Sequence, residues 1–102
     1  MITEADFDTL LTKEETILVD FYADWCEPCK WVEPVLDEVV KNFNGQLSLH
    51  KINIDHFPAL AVKHHVMSVP TLVLFKKSHE LWRMRGFDIA PKLTATLKEY
   101  IG

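Results

Sequence analysis

Cys26 and Cys29 are the two cysteines of this 102-residue chain, three positions apart in the run Trp25-Cys26-Glu27-Pro28-Cys29-Lys30. The run follows an apolar segment and precedes a helical pattern, so Cys26 falls at a helix N-terminus. Unpaired N–H groups and the positive end of the helix dipole both favour a thiolate there. Cys26 is therefore expected to ionise below the ordinary thiol range and to act as a nucleophile near neutral pH. Cys29 lies one turn further on, within reach of a disulfide back to Cys26. Such a pair exchanges electrons with another disulfide through a mixed-disulfide intermediate. Two bland readings compete. Free cysteine often serves as a small buried hydrophobe, but a strand-to-helix junction with a proline between the thiols is an unusual place for that. Structural zinc needs four ligands. His50, His56, His64, His65 and His79 qualify by number only, and the adjacent pair His64 and His65 would point ~100° apart on a helix. The histidines are assigned to solvated surface, and no metal site is expected.

The elements that must hold the pair follow from periodicity. Thr3 can cap a short first helix over residues 3–12, with Phe7, Leu10 and Leu11 on one face. The run Thr16-Ile17-Leu18-Val19-Asp20-Phe21-Tyr22 has the composition of a strand buried on both faces. After the cysteines, Val32, Val35, Leu36, Val39, Val40 and Phe43 recur at helical spacing up to Gly45, with Pro28 in the first turn and Pro34 predicting a kink. Residues 47–54 alternate as a second strand, and residues 57–65 suit a short helix. A third strand runs from Val69 to Phe75, and Lys76-Lys77-Ser78-His79 turns the chain. In residues 81–85, Trp82 and Met84 face one way and the arginines the other. Residues 91–101 form an amphipathic helix. The order α-β-α-β-α-β-β-α implies an α/β fold: a mixed parallel and antiparallel sheet of four strands, or five, sandwiched by four helices.

Composition narrows the function. With 15 acidic and 11 basic residues the net charge is −4, and no basic stripe of a nucleic-acid binder is present. No apolar run approaches the ~20 residues that span a membrane. The start Met1-Ile2-Thr3-Glu4-Ala5-Asp6 lacks the basic and apolar stretches of a secretory signal, which predicts a cytoplasmic protein. The chain is expected to form one domain over residues 1–102, with no Gly-rich phosphate loop and no bound cofactor.

The chain resembles the thioredoxin family. The resemblance rests on Val19-Asp20-Phe21, Ala23, Trp25-Cys26-x-Pro28-Cys29-Lys30, Pro34, Lys51-x-Asn53-x-Asp55, Val69-Pro70-Thr71, Phe75-Lys76 and Gly86, and spans residue 5 to the C-terminus. It implies a thioredoxin fold and a thiol–disulfide oxidoreductase that reduces protein disulfides. Cys26 would be the attacking thiolate and Cys29 the buried resolving thiol. Asp20 would lie beneath Cys29 and accept its proton through water, with Lys51 modulating Asp20. Pro70 would be cis, the Val69 backbone would pair with an extended client segment, and Trp25, Pro28, Val69, Gly86 and Phe87 would form an exposed apolar rim. An NADPH-dependent thioredoxin reductase would return the electrons, and the chain would act as a monomer. The residues themselves support part of this. An aspartate inside an apolar strand has its pKa raised by burial, which suits a base near neutrality. If it pairs with Lys51, removing one member should destabilise the fold. Trp31, Trp82 and Met84 are assigned structural roles.

Several positions depart from the family pattern. Glu27 replaces the usual glycine between the cysteines. Its charge opposes thiolate formation at Cys26, which predicts a more reducing couple, with Lys30 as a second tuning residue. Ser68 replaces the glycine before Val69-Pro70, Tyr22 a tryptophan, and Phe87 a small residue. Ser78 replaces the glycine of the last turn, which is expected to adopt other geometry. An edge strand before the first helix is expected to be short or absent. Two competing functions remain: an oxidase or isomerase on the same fold, which Glu27 disfavours, and a non-catalytic docking module, which the set Asp20, Cys26, Cys29 and Lys51 disfavours.

Overall fold

The computed structural model describes residues 4–13 and 15–101. Among them are four helices, α1 (Glu4–Lys13), α2 (Glu27–Asn42), α3 (Pro58–Lys63) and α4 (Ala90–Ile101), and four strands, β1 (Thr16–Tyr22), β2 (Ser48–Asn53), β3 (Thr71–Lys76) and β4 (His79–Arg85). The strand order is β2-β1-β3-β4. β1 and β2 run parallel, and the other two pairings are antiparallel. The mixed four-stranded sheet matches the expected class. The proposed cap Thr3 lies outside the described residues.

Side chains alternate along each strand, so odd and even positions build two separate cores. Ile17, Val19 and Phe21 of β1 and Val73 and Phe75 of β3 pack with Phe7 and Leu11 of α1 and Leu60 of α3. Leu18, Leu72 and Leu74 face the opposite way, against Val32, Leu36 and Val39 of α2 and Leu93 and Leu97 of α4. Leu49 of β2 packs on that second core and Ile52 on the first. Asp20 and Lys51 share the parity of Leu18 and Leu49, so both belong to the face that α2 covers.

The deviations from expectation have local causes. α2 carries Pro34 inside the helix, as the spacing up to Phe43 implied, but ends earlier than Gly45. It stops at Asn42, because Asn44 and Gly45 both adopt positive φ, 51° and 86°. The third strand begins at Thr71, since Val69-Pro70 forms a cis peptide bond outside the ladder. The turn at Lys77-Ser78 keeps the left-handed geometry that a glycine would favour, with φ of 49° and 71°; the expectation of a different geometry there is wrong. Tertiary bonds stabilise it: Lys77 N–H donates to Glu15 O at 2.8 Å and Ser78 Oγ to Leu11 O at 2.9 Å. Leu81 stands unopposed in β4, where the register shifts between Leu74–Trp82 and Phe75–Glu80, a β-bulge. Arg83 turns its guanidinium onto the carbonyls just past α3, donating to His64 O at 2.6 Å and His65 O at 3.1 Å, which satisfies acceptors where the helix ends.

Candidate redox site

β1 delivers the chain to the site from inside the sheet. Its five central residues, Ile17 to Phe21, are buried. After Tyr22 the backbone turns within four residues, closing with Cys26 N–H to Ala23 O at 3.2 Å. Cys26 is then the N-cap of α2, in an extended conformation (φ −90°, ψ 109°), and its Sγ accepts the N–H of Cys29 at 3.2 Å. The sulfur thus takes the position of the capping oxygen that serines and aspartates supply elsewhere. Cys26 and Cys29 form a disulfide with Cα atoms 5.3 Å apart. Each is 4% exposed, so depth alone does not rank them. What separates them is the cap: Sγ of Cys26 faces the N–H groups of the helix end, the environment that stabilises a thiolate.

Val69 packs against the cysteines together with Tyr22 and Ile54. The Val69-Pro70 bond is cis, as the resemblance implies. Pro70 O accepts Gly86 N–H at 2.7 Å. Gly86 has φ 95°, and a Cβ there would meet nothing within 4 Å, so backbone conformation rather than space calls for glycine. Trp25 is 68% exposed, and its Nε1 donates to Asp55 Oδ2 at 2.9 Å. Asp55 is itself held by its N–H bond to Asn53 Oδ1 at 2.9 Å. The role of Asn53 and Asp55 as Trp25's anchor escaped sequence reasoning, although both lie in the quoted Lys51-x-Asn53-x-Asp55 pattern. Pro28 is exposed, whereas Val69, Gly86 and Phe87 are half-buried. Phe87 turns onto the core beneath α2 and α4, so it is not the open rim residue expected. Trp31 is 61% exposed on α2 and Met67 is 84% exposed just before Val69. Trp31, expected to be structural, therefore lies outside the core, and the exposure of Met67 was not foreseen.

Asp20 is 1% exposed, and neither carboxyl oxygen has a hydrogen-bond partner among the described residues. Burial raises its pKa to about 6, with Glu33 adding to the rise and Lys51 opposing it. Lys51 is its cross-strand neighbour in the parallel pairing, yet the ammonium bonds Glu33 Oε1 at 2.9 Å. A closed Asp20–Lys51 pair, one of the sequence expectations, is thus absent. Burial pushes the Lys51 pKa down, but its partnership with Glu33 and the charges of Asp20 and Asp37 outweigh this and hold it above the usual lysine range. Glu27 and Lys30 bond each other at 3.1 Å on the exposed first turn of α2, so the extra acid brings its own counter-charge. Among the histidines, His64 is not a surface residue. Its ring packs edge-on to Phe7 and Phe75, and its buried Nε2 has no hydrogen-bond partner among the described residues. Desolvation and Lys63 hold its pKa below the usual value. Among the described residues no cluster of His, Cys, Asp or Glu could hold a metal ion, and no helix is long and apolar enough to cross a membrane.

A disulfide capping a helix that follows a buried strand, with the Val69 of a cis Val69-Pro70 bond packed against it, defines a protein of the thiol–disulfide exchange class. Comparisons with known proteins agree. The thioredoxin family profile matches residues 1–99. A Staphylococcus aureus thioredoxin is 37% identical over 100 residues, covering 98% of this chain and 95% of that protein. A single-site variant of thioredoxin from Halobacterium salinarum superposes with a TM-score of 0.88 at 31% identity, over 98% of this chain and 87% of that one. Plasmodium falciparum thioredoxin gives 0.85 at 27% identity, over 95% and 93%. The chain belongs to the thioredoxin family, and its Cys26–Cys29 pair is the redox-active centre of a protein-disulfide oxidoreductase.

Proposed function

We propose that this chain, acting as a monomer of one domain in the cytoplasm, is a reductant of protein disulfides. The Cys26 thiolate attacks one sulfur of a client disulfide, and the other client sulfur leaves as a thiolate that takes up a proton. Cys29 then gives its proton to Asp20 through water and attacks Cys26 Sγ, releasing the second client thiol. The client gains two electrons and two protons, and the chain is left as the Cys26–Cys29 disulfide. An NADPH-dependent thioredoxin reductase restores the dithiol, so the nicotinamide acts on the partner and not on this chain. Trp25, Pro28, Val69, Pro70, Gly86 and Phe87 receive the client segment, with Phe87 acting as a half-buried support.

The observation that carries this reading is the capping of α2 by Cys26 Sγ, which places one thiol of the pair where a thiolate is stabilised. The test is the equilibrium potential of the couple against a dithiothreitol or glutathione buffer. A value near or below about −250 mV is expected, and one above about −200 mV would make the chain an oxidant or isomerase instead. A Cys29→Ser variant should accumulate mixed disulfides with clients, and a Cys26→Ser variant should form none.

A further inference from the structure

Glu33 lies four residues beyond Cys29 on α2, so the two side chains occupy the same face of the helix, one turn apart. Between them runs a cleft of about 90 Å³ lined by Tyr22, Ala23, Asp24, Cys29, Lys30 and Glu33. That volume holds about three waters at ~30 Å³ each. Glu33 is half-exposed and accepts Lys51 Nζ at 2.9 Å. Lys51 in turn stands opposite Asp20 across the parallel β1–β2 pairing, on the sheet face that α2 covers. The structure has the Lys51 ammonium hydrogen-bonded to Glu33, while Asp20 feels Lys51 only through its charge and has no hydrogen-bond partner among the described residues.

We propose that Glu33 is a positioning residue that sets how tightly Asp20 holds its proton, by drawing the Lys51 ammonium to itself and by adding its own negative charge beside the cleft that reaches Cys29. The proposal rests on Asp20 being the proton acceptor of Cys29. Both effects act in one direction. A nearby like charge opposes ionisation of Asp20, and a counter-charge engaged elsewhere supports it less. The charged groups acting on Asp20 are Lys51 from β2 and Glu33 from α2, with Asp37 acting on Lys51; β3 presents Leu72 at the paired position. Glu33 thereby keeps Asp20 a strong enough base to take a thiol proton near neutral pH.

The test is a carbon-13 NMR titration of the Asp20 carboxyl in the full chain and in Glu33→Gln, Lys51→Gln and the double variant, beside the pH–rate profile of disulfide reduction. Glu33→Gln should lower the Asp20 midpoint by about half a unit, and the acid limb of the rate profile should move with it. In the Lys51→Gln background the same substitution should lower the midpoint by less, because one of its two routes is gone. A midpoint that stays or rises in Glu33→Gln overturns the proposal, as does an equal shift in both backgrounds. A lowered midpoint with an unmoved acid limb upholds the hold of Glu33 on Asp20 and removes Asp20 as the proton acceptor.

Discussion

At residue scale, two acids near one disulfide meet opposite fates because their surroundings differ. Glu27 lies on the exposed first turn of α2 beside Lys30; Asp20 lies inside the sheet without a hydrogen-bond partner among the described residues. An exposed, paired charge contributes at most about 1 kcal/mol and is screened by salt. Glu27→Gly should therefore raise the potential of the couple by no more than about 20 mV, since 30 mV corresponds to about 1.4 kcal/mol for two electrons. Equilibration with dithiothreitol measures it, and an unchanged or more negative value would refute the role assigned to Glu27. For Asp20 the direction of the stability effect reverses from the sequence expectation. Loss of a member of a closed ion pair destabilises, but Asp20 is a buried charge with no direct partner. Raising its pKa from 3.8 to about 6 costs the folded state at most about 3 kcal/mol at pH 8. Asp20→Asn should gain stability up to that limit in urea unfolding at pH 8. If Asp20 is the base for Cys29, the same variant should reduce disulfides at least about tenfold more slowly at pH 7. A variant that is both less stable and equally fast would remove the base and the cost together.

At the scale of elements, the strand-to-helix step at Cys26 and the β3–β4 turn show how far local pattern carries. Lys77 and Ser78 occupy left-handed conformations without glycine, which costs a residue with a Cβ about 1 kcal/mol. Ser78 recovers part of that through its bond to Leu11 O, while the Lys77 side chain makes no hydrogen bond or ion pair among the described residues. Lys77→Asn should thus raise stability by about 0.5 kcal/mol, whereas Ser78→Gly should change it little, because relief of strain and loss of the hydrogen bond offset. Thermal unfolding of the two variants decides between this account and one in which both turn positions are equivalent. The same contrast explains what was legible in the sequence. The unbroken apolar run of β1, the helical spacing from Val32 to Phe43 and the alternation around Trp82 and Met84 are local signals, and each gave an element within a few residues of its place. The Cys26–Cys29 pair was legible because its chemistry depends on a spacing of three. The exposure of Trp31, the anchoring of Trp25 by Asp55 and the capture of Lys51 by Glu33 join residues 18 or more positions apart or depend on which helix face stays uncovered. The turn at Lys77 was misjudged because its support comes from α1 and the segment after it.

At the scale of the molecule, Asp20 and His64 lie on opposite sides of the sheet, and their pH dependences oppose one another. Asp20 faces α2, and its folded pKa of about 6 lies above the ordinary 3.8. The folded state binds this proton more tightly, so the stability it contributes is fully present below about pH 4 and is lost as pH rises through 6. His64 packs on the other side, among Phe7, Phe21 and Phe75, and its folded pKa is held below the ordinary 6.5. The stability it contributes is present above 6.5 and is lost as pH falls, because the unfolded state then binds the extra proton. Between pH 4 and 6.5 the two slopes oppose, and the stability of the native chain should vary less with pH than that of either single variant. Removing Asp20 with Asn should leave a chain that weakens on acidification through this window. Replacing His64 with Leu, which suits its apolar surroundings, should leave one that strengthens instead. Urea unfolding at half-unit intervals from pH 4 to 8 in the three proteins tests the pair. Parallel curves for native chain and His64→Leu would show that the ring carries no proton linkage, and the aromatic packing around it would then be its whole contribution to the fold.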